Sequence, residues 1–147
     1  MFSIEAIMST DLITLPPTAN LAEARSLMQS NRIHHLPIVA DDRELVGLIT
    51  LTNVLAGTDS SLRDRENRIH AEDICVKDVM VTDLATVDEH ASLRQAALFL
   101  EKHKIGCLPV VTDGKLRGII TDTDFVGVAI NLLEQIETTE PVEREYA

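Results

Sequence analysis

The chain has 147 residues, a formal net charge of −11 and 45% hydrophobic against 25% charged residues. This balance excludes global disorder and supplies enough apolar surface for one packed domain. The acidity argues against nucleic acid and anionic membrane surfaces as partners, no apolar run approaches bilayer length, and 3% aromatics with no Trp predict an aliphatic core.

Two isolated cysteines, Cys75 and Cys107, show no framework spacing. Residues 1–5 have neither the basic flank nor the apolar stretch of a signal peptide. Together these features predict reduced thiols in a cytoplasmic protein.

The chain repeats itself. Met8, Thr10, Asp11, Leu12 and Thr14 recur as Met80, Thr82, Asp83, Leu84 and Thr86, a spacing of 72. Leu21, Ala24, Ile33 and Leu36-Pro37 recur at that spacing as Leu93, Ala96, Ile105 and Leu108-Pro109. After one residue is lost in a hairpin, Gly47, Thr50 and Thr52 recur as Gly118, Thr121 and Thr123. This is a tandem duplication.

In the first copy a short strand is predicted over residues 12–15. A helix follows, capped by Asn20 with Glu23 at capping-box spacing and carrying the apolar stripe Leu21, Ala24, Leu27 and Met28. Two apolar strands, 36–39 and 45–49, are joined through Asp41-Asp42-Arg43-Glu44, and a second helix begins near Thr52. The second copy predicts a strand over 84–87, a helix capped by Ser92 with Gln95 and striped by Leu93, Ala96, Phe99 and Leu100, and strands over 108–111 and 116–120. Its hairpin turn is Asp113-Gly114 and its closing helix, 125–136, is longer. Residues 1–57 form the first repeat, 58–73 a charged connector, 74–137 the second repeat, and 138–147 a flexible acidic tail.

The resulting expectation is an α+β fold, α/β-like in its alternation. Each repeat runs β-α-β-β-α, and the two pack through their sheets about a pseudo-twofold axis. A single copy would hold only a marginal core, so the copies must share theirs. That arrangement leaves two equivalent clefts at the seam.

Each copy ends its last strand on a hydroxyl, with a carboxylate or carboxamide three residues on. The stretches are Gly47-Leu48-Ile49-Thr50-Leu51-Thr52-Asn53 and Gly118-Ile119-Ile120-Thr121-Asp122-Thr123-Asp124. A strand-to-helix corner gathers free backbone N–H groups and the positive end of the helix dipole. Thr50 or Thr121 can therefore face a phosphate, while Asn53 or Asp124 accepts from ribose hydroxyls. Thr and Asp are also ordinary helix-start residues, and one corner alone would favour that reading. Two matching corners shift the balance.

Ile-x-x-Leu-Pro before each hairpin and Gly-x-x-Thr-x-x-Asp/Asn after it, given twice, resemble a CBS domain pair, or Bateman module. The resemblance covers residues 4–136. It implies a non-catalytic regulatory module that binds adenosyl ligands (AMP, ADP or ATP, with S-adenosylmethionine as an alternative) between the repeats, forms a homodimer and signals to a separate protein. For the Asp124 cleft it implies Asp124 on the ribose, Thr121 near the phosphate and Ile119 by the base, with Thr14, Ile33 and His34 around the adenine. For the Asn53 cleft it implies Asn53, Thr50 and Leu48 in those roles, with Thr86, Ile105 and Gly106 from the second copy and His34-His35 near the phosphates. Gly106-Cys107 would approach the phosphates of the Asp124 cleft without a cation of its own, leaving Lys104 or Arg117 to supply one. AMP or ADP is preferred over ATP.

Rival chemistries are weaker. His34, His35, His103 and Cys107 suggest zinc, yet neighbouring residues on an extended strand face opposite ways, so no metal is expected. Cys107 has no inferable base partner, and Asp122 and Asp124 alternate in the corner, so neither nucleophilic nor acid–base chemistry is expected. The stripe Leu132, Leu133, Ile136 fits core or dimer contact. The rival outside this class is a structural or oligomerisation module that has lost ligand binding.

Overall fold

The structure, a computed structural model, describes residues 3–59 and 70–139. In chain order the helices and strands are α1 (Ile4–Ile7), α2 (Leu21–Asn31), β1 (His35–Val39), β2 (Leu45–Thr50), α3 (Leu51–Asp59), α4 (Leu93–His103), β3 (Cys107–Thr112), β4 (Lys115–Thr121) and α5 (Asp122–Thr139). The fold is α+β, as expected. Residues 60–69 of the connector and 140–147 of the tail lie outside the described residues.

Local chemistry sets the helix ends. Asn20 accepts from the Glu23 N–H at 2.9 Å, and Ser92 with Gln95 closes a full capping box. Both first helices stop on a left-handed residue, Arg32 (φ 54°) and Lys104 (φ 50°).

Each copy contributes one antiparallel hairpin, with Leu36 opposite Ile49 and Leu108 opposite Ile120. The turn Asp113-Gly114 has positive φ at both positions (55° and 77°), the conformation that matches the twist of the flanking strands.

The strands expected over 12–15 and 84–87 are each reduced to one parallel bridge. Leu15 donates to the Pro37 carbonyl at 3.1 Å and accepts from Val39 at 2.9 Å; Val87 does the same with Pro109 and Val111. The cause lies a few residues upstream. Ser9 pairs with Ile119 on β4, and its repeat mate Val81 pairs with Leu48 on β2. Each segment starts on the opposite repeat's sheet and ends on its own, so no ladder can extend along it.

That crossing also exchanges core residues. Ile4 is fully buried among Val87, Ala96, Leu100, Leu108, Val110 and Ile120 of the second repeat. Val76, its repeat mate, is fully buried in the first repeat's core. Burying such a side chain contributes about 1.5–3 kcal/mol. Each lead-in turn therefore stabilises the other repeat. Gly118 is where the crossing backbone comes closest: a Cβ there would sit 2.8 Å from the Ser9 carbonyl oxygen and 2.7 Å from Met8 Sδ. A small third cluster of Leu48, Cys107 and Ile119, packed by Leu12 and Leu84, forms the seam.

Two apolar positions depart from expectation. Phe99 is 37% exposed, because α4 buries Ala96 and Leu100 and leaves Phe99 on its flank, stacked on His103 with ring centroids 4.7 Å apart. Leu132, Leu133 and Ile136 are also exposed, so they are not part of this chain's core.

Candidate functional site

Both corners exist, and each closes on itself first. The Thr50 N–H and hydroxyl donate to Asn53 Oδ1 at 3.0 and 2.7 Å, and the Asn53 N–H donates back to Thr50 Oγ1 at 3.1 Å. The Thr121 N–H and hydroxyl donate to Asp124 Oδ2 at 2.8 and 3.3 Å. The next N–H is used too: Leu51 donates to the His34 carbonyl at 2.9 Å and Asp122 to that of Gly106 at 3.2 Å. Fewer donors remain for an anion at these helix mouths than free corners would offer.

The two corners leave different atoms over. A backbone N–H needs an acceptor opposite it, which fixes Asn53 with its oxygen turned into the corner and its NH₂ outward. Asp124 keeps Oδ1 outside the bonds to Thr121. The Asp124 corner thus presents a charged acceptor and the Asn53 corner a donor.

Two clefts flank the seam, each walled by both repeats. The Thr121 cleft, about 370 Å³, takes Leu12, Ile13, Arg32, Ile33, His34 and His35 from the first repeat, and Gly106, Cys107, Ile119, Thr121 and Asp122 from the second. The Thr50 cleft, about 670 Å³, takes Leu84, Ala85, Phe99, His103 and Ile105 from the second repeat with Leu48, Thr50 and His35 from the first. Both volumes suit a small ligand. Ala85 stands where the other cleft has Ile13, and Gly106 where it has His34, both smaller residues.

Ile33, His34, Ile119 and Thr121 line the first of these clefts, and Leu48, Thr50, His35, Ile105 and Gly106 the second. Asp124 and Asn53 stand behind their threonines, outside the lining. Thr14 and Thr86 are not among the residues that line these clefts. Both are exposed and face other hollows, Thr14 beside Arg43 and Leu116, Thr86 beside Asp113 and Lys115. The crossing segments are extended, and with Ile13 and Ala85 turned to the clefts the next side chain turns away. His34 lines the Thr121 cleft alone, whereas His35 lines both.

Sequence reasoning missed Arg32. It supplies the cation of the Thr121 cleft in place of Lys104 or Arg117, neither of which lines it. Its position directly before Ile33-His34-His35 was the available signal. Asp11 and Asp122 line that cleft too, and Asp83, Phe99 and His103 line the other. Four-residue spacing on one helix was the clue to the Phe99–His103 pair.

Burial, and secondarily the neighbouring His34, pushes the His35 imidazole below its usual pKa, against the pull of Asp122. Burial, reinforced by Asp122 and Asp124, pushes the Cys107 thiol up to about 12. That thiol holds its proton at neutral pH and is no nucleophile. Among the described residues, the His/Cys/Asp/Glu side chains that converge closely enough to hold a metal are Glu5, Glu89 and His90, away from both clefts. No helix of the described residues is long and apolar enough to cross a membrane.

A family model described as CBS domain matches residues 4–57 and 76–131. The chain is similar to a Vibrio cholerae protein carrying the acetoin utilization name AcuB, at 41% identity and TM-score 0.79, covering 96% of this chain and 99% of that one. A crystal structure of CBSX2 in complex with AMP is 27% identical, with TM-score 0.77 and coverage of 90% and 98%. A CBS domain-containing protein of Dictyostelium discoideum is 28% identical over 90% of this chain and 94% of its own length. Other relatives are longer. The chain spans 22% of a homoserine O-acetyltransferase from Methanocorpusculum labreanum and 23% of an inosine-5'-monophosphate dehydrogenase from Korarchaeum cryptofilum.

Proposed function

The chain belongs to the CBS domain family as a tandem pair, and from that premise we propose that it binds an adenosyl ligand in its seam clefts and reports occupancy to a separate protein. The observation that carries this reading is the pair of clefts, each with an apolar slot from one repeat facing a threonine corner from the other. A ligand held there touches both repeats at once and biases how they sit together. The AMP in the CBSX2 structure supports an adenine nucleotide.

The Thr121 cleft suits AMP or ADP. Ile33 and Ile119 offer faces for the base, Asp124 keeps Oδ1 outside its bonds to Thr121 for a ribose hydroxyl, and Arg32 with His34 can meet phosphate. The same cleft carries Asp11 and Asp122, so each further phosphate gains less, which disfavours ATP. Among the described residues the Thr50 cleft has no Arg or Lys in its lining, and it carries Asp83 and Phe99. It suits a less anionic adenosyl compound, S-adenosylmethionine included. Exposed Val126, Ile130 and Leu133 on α5 offer an apolar face for a homodimer.

One observation favours a second reading. Both Thr-x-x-Asp/Asn corners are satisfied as helix caps, so they serve a purely structural or oligomerising module equally well. Thermal unfolding after stripping carried-over ligand separates the two. Ligand at ~100 times its dissociation constant adds ~2.7 kcal/mol. A shift with AMP or ADP exceeding that with ATP is expected. No shift with AMP, ADP, ATP or S-adenosylmethionine contradicts ligand binding and leaves the structural role.

A further inference from the structure

His35 lines both clefts, together with Gly106 and Cys107. The wall between the clefts is thin there. A Cβ placed on Gly106 would sit 3.6 Å from Asp122 Oδ2 and 3.9 Å from His35 Cε1, so imidazole and carboxylate approach each other across a residue without a side chain. His35 is anchored by its pairing with Thr50, and Cys107 by the equivalent pairing with Thr121.

The duplication makes this wall unequal. His34-His35 in the first repeat corresponds to Gly106-Cys107 in the second. Two related clefts therefore share a single wall imidazole. We infer that His35 serves as an anion contact for both clefts, so that an anionic ligand in one weakens the binding of an anionic ligand in the other.

This coupling presupposes the proposed binding of adenosyl ligands and follows from the donors that His35 can offer. Half-buried and beside His34, His35 is neutral at pH 8, and a neutral imidazole has one N–H. A ligand phosphate in one cleft takes that donor and fixes the ring. The second phosphate then faces the acceptor nitrogen and a like charge beyond a thin wall, where screening by water is reduced. The result is a negative coupling free energy between the clefts, felt equally from either side.

Calorimetric titration with AMP at pH 8 tests this, using exposed rim residues to close each cleft in turn. Asp83→Trp obstructs the Thr50 cleft and Thr123→Trp the Thr121 cleft, giving the dissociation constant of the other cleft alone. If the clefts are independent, the product of the two wild-type constants equals the product of these two. Coupling through His35 makes the wild-type product about tenfold larger. In both His35→Leu and His35→Ala backgrounds, the products agree to within about twofold. A wild-type ratio near one, or a tenfold ratio that survives both His35 substitutions, overturns the inference while leaving ligand binding intact. AMP bound in one cleft alone also overturns the inference while leaving ligand binding intact, and failure of wild-type protein to bind AMP at all overturns both the inference and the assignment of AMP to the Thr121 cleft.

Discussion

The two seam clefts share a backbone plan and differ in chemistry. Each is built from one repeat's crossing segment and the other's strand-to-helix corner, at offsets the duplication fixes. One is small, carries Arg32 and His34, and stands by the Asp124 carboxylate. The other is nearly twice as large, carries Phe99 and His103, and stands by the Asn53 carboxamide. Duplication kept Leu12 and Leu84 identical at the seam and Leu48 and Ile119 both aliphatic, while much of the lining diverged. Packing constrains the seam residues from both sides at once, whereas a cleft wall is constrained only by its ligand.

The sharpest way to break the comparison acts on the shared plan. Gly118→Ala drives a methyl into the Ser9 carbonyl, a backbone atom that cannot move without unpairing the crossing. At Gly47 the nearest atoms all belong to the flexible Met80 side chain. Gly118→Ala is expected to cost about 1–3 kcal/mol and Gly47→Ala clearly less, read from urea midpoints. Equal costs would show that the two crossings are not held by different contacts.

A smaller effect separates the linings. Arg32→Gln should weaken AMP binding in the Thr121 cleft about tenfold, since a charge-assisted bond to phosphate is lost, while Lys104→Gln changes neither cleft. Phe99→Ala should weaken only the Thr50 cleft, about fivefold, in line with the worth of an aromatic contact. Its partial exposure keeps the stability cost low. Titrations with AMP in the singly closed variants give both numbers.

The smallest effect is in pH. The depressed pKa of His35 means that the unfolded chain takes up the proton first as pH falls below 6.5. Stability is therefore lost on acidification, until the folded imidazole is protonated as well. His35→Asn should flatten that part of the profile, measured as the thermal midpoint between pH 8 and pH 5.

Much of this was legible in the chain. The repeat offsets gave the hairpins, the helix starts at Asn20 and Ser92 and the paired corners, because each is set by local turn and capping chemistry. The exchange of Ile4 and Val76 was not legible. An apolar residue at that spacing completes either core equally well, and no local preference says which. That Ile13 and Ala85, and not Thr14 and Thr86, line the clefts was not legible either, because an extended segment shows its alternation without showing its phase. Arg32 and Lys104 close equivalent helices with the same backbone, yet only Arg32 reaches a cleft. Arg32 shows why a residue's chemistry alone does not locate it.

The most direct test is a crystal structure of the ligand-stripped protein grown with AMP at low ionic strength. The account predicts adenine between Ile33 and Ile119, with the phosphate within hydrogen-bonding reach of Arg32 or His34. AMP absent from the seam at saturating concentration, or bound there with its phosphate turned away from Arg32 and His34, would contradict it.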